Sequence, residues 1–354
     1  MLESLPRRPR GRPIAPLLAK LSGGRVAPDG SDTTEGARIL RALHEYDPPT
    51  YEERLGAPSQ ALLSRIDHAD VAELDRRVEP ELRTVWDSAT PVVREQLKLI
   101  LGVHYEVPGI LQKTGLRTDM PPDEVHAMGR GPLAAGGDFW LADLVAGAAE
   151  RSGIELAPGT PVLDFGCSSG RHLRVLQAWR PDVRWMGCDP NATSVQWASE
   201  HLPGIEFFAS PIDPPLALPE TSLDVVFAIS VWSHFAAAAA ERWLDEMHRL
   251  IRPGGALVFT TQSVASLARY LREGDIPPEY AVGHTESLLA TGHYYRQAFG
   301  PDGDWGAKSA QWGLGYLTLD WLAQRVLPHW ELVLYEAARI EATQDLVVLR
   351  RAPD

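Results

Sequence analysis

The chain has 354 residues, 44% hydrophobic and 23% charged, with a formal net charge of −13. That balance fits an ordinary globular protein with one large domain and an extension, and argues against a broad nucleic-acid groove, which needs clustered Lys and Arg. No apolar run approaches the roughly 20 residues of a membrane helix, two cysteines make neither a disulfide framework nor a metal cage, and Met1–Pro6 lacks a secretory apolar segment, so a cytoplasmic location is expected.

Residues 1–33 are rich in Pro, Gly and Arg and are expected to have no fixed fold. The cluster Arg7, Arg8, Arg10 and Arg12 reads as a solvated tail, not a nucleic-acid arm. Helical signals dominate from Thr34 to about Gln112. Glu35–Tyr46 carries Ile39, Leu40 and Leu43 on one face, and Ala69–Trp86 carries Val71, Leu74, Val78, Leu82 and Val85, interrupted by Pro80. Pro91 opens a third helix with Leu97, Ile100 and Leu101. This region reads as a helical extension or cap over residues 34–130 and is a candidate oligomer surface.

A Pro/Gly-rich connector runs from Met120 to Gly137, and Asp138 is expected to cap a helix through Glu150. Strand and helix signals then alternate: strand 161–166, helix 170–180, strand 184–189, helix 192–201, strands 205–209 and 223–230, helix 236–251 and strand 256–261. Such alternation means a doubly wound, mostly parallel sheet with crossover helices. Trp330–Arg339 and Asp345–Arg350 are joined by too short a link for parallel pairing, so the last strand is expected to be antiparallel. The segment 262–320 reads as irregular.

The sharpest signal is Pro161-Val162-Leu163-Asp164-Phe165-Gly166-Cys167-Ser168-Ser169-Gly170, a buried strand breaking into a tight loop before a helix. About twenty residues on, Arg184–Asp189 is a second strand ending in an acid. An acid there can accept hydrogen bonds from both hydroxyls of a ribose, and the crevice beyond the strand ends is where such sheets hold a nucleoside-bearing ligand. Cys167 and Cys188, at these strand ends, read as small half-buried fillers. No Gly-x-Gly-x-x-Gly is present, because Cys-Ser-Ser separates Gly166 from Gly170, and this weakens a nicotinamide-dependent oxidoreductase.

These residues resemble the class I S-adenosylmethionine-dependent methyltransferases. The likeness rests on Val162–Cys167, Asp189, Leu223–Phe235, Leu250–Leu257 and Gln344–Leu349, and covers about residues 130–354. It implies a seven-stranded sheet with its last strand reversed, forming a cofactor-binding domain over 131–354 with S-adenosyl-L-methionine as cofactor. Carried onto matching positions, it implies that the loop from Gly166 through Cys167 and Ser168 to Gly170 packs on the methionine part. Asp164 would orient the amino group, and Asp189 with Pro190 would hold the ribose. The adenine is expected to meet either Asp213 or backbone groups near Pro211 and Ile212, and Ser230 lies at the fourth strand end. Two departures stand out: the family usually has glycine at Ser168, and the acid often found at the end of the third strand is displaced here to Asp213. Asp213-Pro214-Pro215-Leu216 precedes the fourth strand and lacks an aromatic, so it is not a nucleobase amino-methylation motif. The strand ends offer Ser230, Thr261 and Gln262, not a carboxylate set for a metal.

If the acceptor is a hydroxyl, its proton must be removed, and histidine is the natural base. His234 follows the fourth strand and is the first candidate. His293, Tyr294 and Tyr295 fall where such enzymes build a substrate lid. His172, in the first turn after the loop, can face substrate but reads more readily as solvent-facing, His248 reads as a surface residue, and His104, Tyr105 and His126 as groups that reach the cleft only if the helical region is a cap. Trp232, Trp305 and Trp312 are candidate aromatic walls. The expected function is methyl transfer to oxygen or nitrogen of a small natural-product or sugar-derived acceptor. The alternatives are a protein methyltransferase, a nicotinamide-dependent oxidoreductase and a non-catalytic scaffold.

Overall fold

A computed structural model of the chain describes residues 34, 35, 39, 55–127, 135–300, 303–304, 308–340 and 343–353. The tail 1–33, most of the helix expected over 35–46, the 128–134 part of the connector and Trp305 lie outside the described residues. Over the described residues 55–127 the helices are α1 (Ala57–Leu63), α2 (His68–Arg77), α3 (Pro80–Ser88), α4 (Pro91–His104) and α5 (Pro108–Thr114). Pro80 lacks an amide proton to continue α2 and instead opens α3, which divides the expected 69–86 helix in two. The side chain of Asp67 accepts from the Ala69 and Asp70 amides and caps α2.

Helix α6 (Ala135–Arg151) follows. It starts three residues before Asp138, so Asp138 is not its cap. Instead Asp138, buried in the first turn, pairs with Arg171 at 2.5 Å. Asp143 of α6 caps a different helix: its Oδ2 accepts from the Gly56 amide at 2.9 Å and its Oδ1 from the Ser59 amide at 2.8 Å. Helices α1–α5 pack into the core on one face of the sheet. Leu62, Leu74, Leu97 and Ile100 share one continuous core with Val162, Val225, Phe227 and Val258 from one face of the sheet. Arg65 adds polar clamps, donating to the carbonyls of Thr114, Ala178 and Trp179 at 3.2, 2.9 and 3.2 Å. Two of these are last-turn carbonyls of α7 (Arg171–Trp179), where a cation also complements the helix dipole.

The sheet contains β1 (Pro161–Phe165), β2 (Arg184–Asp189), β3 (Glu206–Ala209), β4 (Leu223–Ala228), β5 (Ile251–Thr261), β8 (Trp330–Ile340) and β9 (Gln344–Arg351), in the order β3-β2-β1-β4-β5-β9-β8. The pairs among β1–β5 are parallel, while β9 runs antiparallel to both β5 and β8. The reversed strand is last in sequence, as expected, but it is inserted between β5 and β8 and does not form the edge. Helix α8 (Ala192–His201) follows β2, and α9 (Ala237–Leu250) follows β4. Trp243, Leu244, Met247 and Leu250 of α9 bury the second sheet face with Leu163, Val226 and Leu257. Each such side chain withdrawn from water stabilises by about 1.5–3 kcal/mol.

The described residues of the segment expected to be irregular form regular elements. The segment contains α10 (Val264–Glu273), α11 (Pro278–Thr291), β6 (His293–Arg296), β7 (Leu314–Leu317) and α12 (Leu319–Val326). β6 and β7 form a separate antiparallel pair that joins Tyr294 to Tyr316. β7 seats on the C-terminal end of β5, where the Leu317 amide donates to the Gln262 carbonyl at 2.9 Å. Gly315 is required there, because a Cβ would fall 2.3 Å from the Phe235 carbonyl oxygen. The pair therefore crowns the ends of β4 and β5. Among the described residues no helix is long and apolar enough to cross a membrane, and no group of three or more His, Cys, Asp or Glu could hold a metal.

Candidate functional site

The apolar run 162–165 is buried between the two sheet faces and draws Asp164 inside with it; the residue is 1% exposed. Burial raises its carboxyl above the usual range, partly offset by His172. The His172 Nδ1 lies 3.7 Å from Asp164 Oδ2, too far for a hydrogen bond, and that oxygen has no hydrogen-bond partner among the described residues. A buried carboxylate oxygen left unsatisfied calls for a donor or a cation from a ligand.

The loop after β1 turns back on β2. The Gly166 and Cys167 amides both donate to the Cys188 carbonyl, at 2.8 and 3.0 Å. Gly166 has φ +86°, and a Cβ there would meet Val231 Cγ2 at 2.5 Å, so two constraints demand glycine. Ser168, at φ +49°, also lies in the left-handed region, which explains why glycine suits this position. Gly170, at φ +75°, leads into α7. The thiols of Cys167 and Cys188 are buried and pushed well up by burial and neighbouring acids, so they are unreactive fillers.

Asp189 closes β2. Its Oδ2 accepts from the Ser168 amide at 2.9 Å and its Oδ1 from the Asn191 amide at 2.8 Å, which orients the carboxylate. Each oxygen keeps a second lone-pair site for a further donor. Burial raises this carboxyl, countered by the two amides and by the nearby His126. The Ser210 amide donates to the Asp189 carbonyl at 3.0 Å, and its buried hydroxyl has no partner among the described residues. Pro190 is exposed, and Ile212 is one of few large apolar residues left 43% exposed. Asp213 does not face this crevice; it pairs with Arg242 of α9 at 2.5 Å.

Past β4, Ser230 holds a strained φ of +61°. Its amide donates to Thr260 Oγ1 at 2.7 Å, and the Gln344 amide nitrogen donates to its hydroxyl at 2.9 Å. Trp232 is core, packed near Phe165, Phe235 and Phe259. His234 ends a short 3-10 turn (Trp232–His234), and its Nδ1 lies 2.7 Å from the Gly313 carbonyl. A carbonyl cannot donate, so Nδ1 carries the proton and Nε2 is the basic nitrogen of the neutral ring. Trp312 stands 4.7 Å from that ring and Phe299 5.8 Å, centroid to centroid.

The crown separates the other candidates. His293 packs on Trp321, and its buried Nε2 has no hydrogen-bond partner among the described residues; burial and Arg325 hold it down to about 4, a neutral imidazole. Tyr294 faces the other way, between His284 and Tyr316, and burial raises its phenol. Tyr295 donates to the Ala310 carbonyl at 2.8 Å. His104 is exposed, and the Tyr105 hydroxyl accepts from the Glu79 amide, so both serve the N-terminal helices. His248 is half-buried against His329 and Trp330, not the surface residue expected. His126 does reach the cleft, with Nδ1 2.9 Å from Ser168 Oγ. Ser169 and Ser210 were not anticipated; their hydroxyls are buried and have no hydrogen-bond partner among the described residues, and serines at strand-end loops were the only signal.

Residues 162–255 match the family profile described as a methyltransferase domain. Over 141 residues the chain is 31% identical to the 2-methyl-6-phytyl-1,4-hydroquinone methyltransferase of Synechocystis, covering 38% of this chain and 43% of that protein. Over 125 residues it is 29% identical to the probable tRNA methyltransferase 9B of Bos taurus, covering 34% and 26%. The chain thus spans less than half the length of these relatives. Among solved structures, an S-adenosylmethionine dependent methyltransferase from Mesorhizobium loti is 19% identical, with a TM-score of 0.39 over 59% of this chain and 98% of that one.

Proposed function

We propose that this chain, whose α/β domain belongs to the class I S-adenosylmethionine-dependent methyltransferases, transfers a methyl group to a small-molecule acceptor in the cytoplasm. The observation that carries the reading is the pair of acids at the adjacent ends of β1 and β2, Asp164 buried and Asp189 half-buried. Asp164 has an unsatisfied oxygen, and Asp189 is pre-oriented by two amides. A nucleoside bearing a cationic amino-acid tail fits such a set: its ammonium satisfies Asp164 and its ribose hydroxyls use the open lone pairs of Asp189. The cofactor, when bound, supplies an activated methyl group on sulfur. The protein then has to hold, orient and exclude water, which in favourable cases supplies roughly 7–11 kcal/mol of barrier reduction.

The loop from Gly166 to Gly170 forms the methionine wall, Ile212 and the Ser210 hydroxyl edge the adenine end, and Ser230 stands at the mouth. His234 is the residue we assign as base for a hydroxyl acceptor, since its Nδ1 is fixed on the Gly313 carbonyl and its Nε2 can take a proton. Trp312 and Phe299 beside it favour a flat or apolar acceptor. His293 and Tyr294 support the crown.

A tRNA acceptor is the second reading, favoured by the relative named for that substrate. The charge of −13 opposes it, because phosphate contacts require clustered cations. Titration with S-adenosylhomocysteine and with NAD tests the cofactor, and NAD binding alone would overturn it. Incubation with labelled S-adenosylmethionine against a panel of phenols, hydroxy acids, sugars and bulk tRNA tests the acceptor; label transfer to tRNA alone would replace the small-molecule reading.

A further inference from the structure

Residues 119–126 leave the N-terminal helices and run against α7 and the loop 166–170. Arg174 of α7, 4% exposed, donates from Nη1 to the Asp119 carbonyl at 3.1 Å and to the Met120 sulfur at 3.7 Å. Val125 is 5% exposed in the shared core, and its amide donates to the Pro122 carbonyl at 3.0 Å. The segment is therefore tied down before it reaches the cleft. His126 then grips Ser168 twice, through Nδ1 at 2.9 Å and through its own carbonyl, which accepts from the hydroxyl at 3.3 Å. Ser168 in turn gives its backbone N–H to Asp189.

Ser168 is strained in the left-handed region, so it stays there only if its surroundings hold it. The two contacts from His126 do so from outside the α/β unit, one residue-to-residue step from the acid assigned to the ribose. We propose that His126 is a positioning residue for the cofactor. Acting through Ser168, it fixes the amide that orients Asp189, and the strap 119–126 is the means by which the N-terminal helices complete the nucleoside end of the cleft. The inference rests on the methyltransferase reading.

The test is calorimetric titration of the full chain with S-adenosylhomocysteine, alongside thermal melting of each variant. His126→Ala should weaken binding about three- to ten-fold, as expected for a lost hydrogen bond that orders the site. His126→Asn, whose amide tip takes the place of Nδ1, should return affinity to within about two-fold of the unsubstituted protein. In the Ser168→Gly background, where the hydroxyl is gone and the backbone is unstrained, His126→Ala should cause no further loss. Unchanged affinity in His126→Ala, failure of His126→Asn to recover it, or an equal loss in the Ser168→Gly background would each overturn the proposal. Absence of binding by the unsubstituted protein would instead overturn the cofactor reading, and this inference with it.

Discussion

Asp189→Ala separates the structural and the ligand-binding duties of one carboxylate. Its oxygens accept from the Ser168 and Asn191 amides at 2.9 and 2.8 Å. Removing both acceptors leaves two donors unpaired, each costing about 1–3 kcal/mol when water cannot reach it. Ser168 is 4% exposed, whereas Asn191 is half-buried, so the second penalty is the smaller and the sum is about 2–4 kcal/mol. An unfolding entropy of about 2.1 cal/mol/K per residue means roughly 1.3 °C per kcal/mol for a chain of this length, so melting should fall by about 3–5 °C. Ribose hydroxyls would also lose charge-assisted hydrogen bonds of about 1.5–3 kcal/mol each, so affinity for S-adenosylhomocysteine should drop ten-fold or more. Calorimetry below the lowered melting point, with Asp189→Asn as a near-isosteric control, reads the two effects separately. Asp189→Asn should recover part of the stability while keeping most of the affinity loss, since the charge is still gone. Full affinity in a folded Asp189→Ala protein would refute the ribose assignment.

His234→Ala should lower turnover by about 10²–10⁴-fold on a hydroxyl acceptor while leaving S-adenosylhomocysteine affinity within two-fold; equal turnover would retire it as the base. Gly166→Ala should destabilise the fold by about 2–5 kcal/mol in denaturant titration, combining left-handed strain with the 2.5 Å approach to Val231 Cγ2. Val231→Ala should relieve only the steric part, so a double-mutant cycle showing no coupling would contradict the packing described. His293 is held at about 4 against 6.5 unfolded, so between these values the unfolded chain binds more protons and stability falls as pH drops from about 6.5 to about 4. His293→Phe should flatten that part of the stability profile; an unchanged slope would show that other groups set it.

The α/β core was legible because its signals are local. Val162–Phe165 reads as a buried strand, Gly166 and Gly170 need the left-handed backbone, and each acid sits in the last two residues of its strand. The reversed strand followed from the short link after Ile340, but its insertion between β5 and β8 did not, since pairing order is a tertiary choice. The crown was missed because β6 and β7 are four residues each, and pair across seventeen intervening positions. Asp138 was misread for a related reason: an acid near a helix start suits capping, and only the fold brings Arg171 within 2.5 Å of it. His126 had no sequence signal beyond its residue type, because its meaning depends on Ser168, 42 positions away.

The joint burial of Leu62, Leu74 and Leu97 with Val162 and Val225 bears on how this protein can be dissected. Paring the chain back to its nucleotide-fold part would bare a broad oily flank of α6 and α7, leave Asp143 without the Gly56 and Ser59 amides that it accepts from, and remove the arginine that seals the end of α7. Such a fragment should clump when produced alone, so a minimal working unit must keep the leading helices.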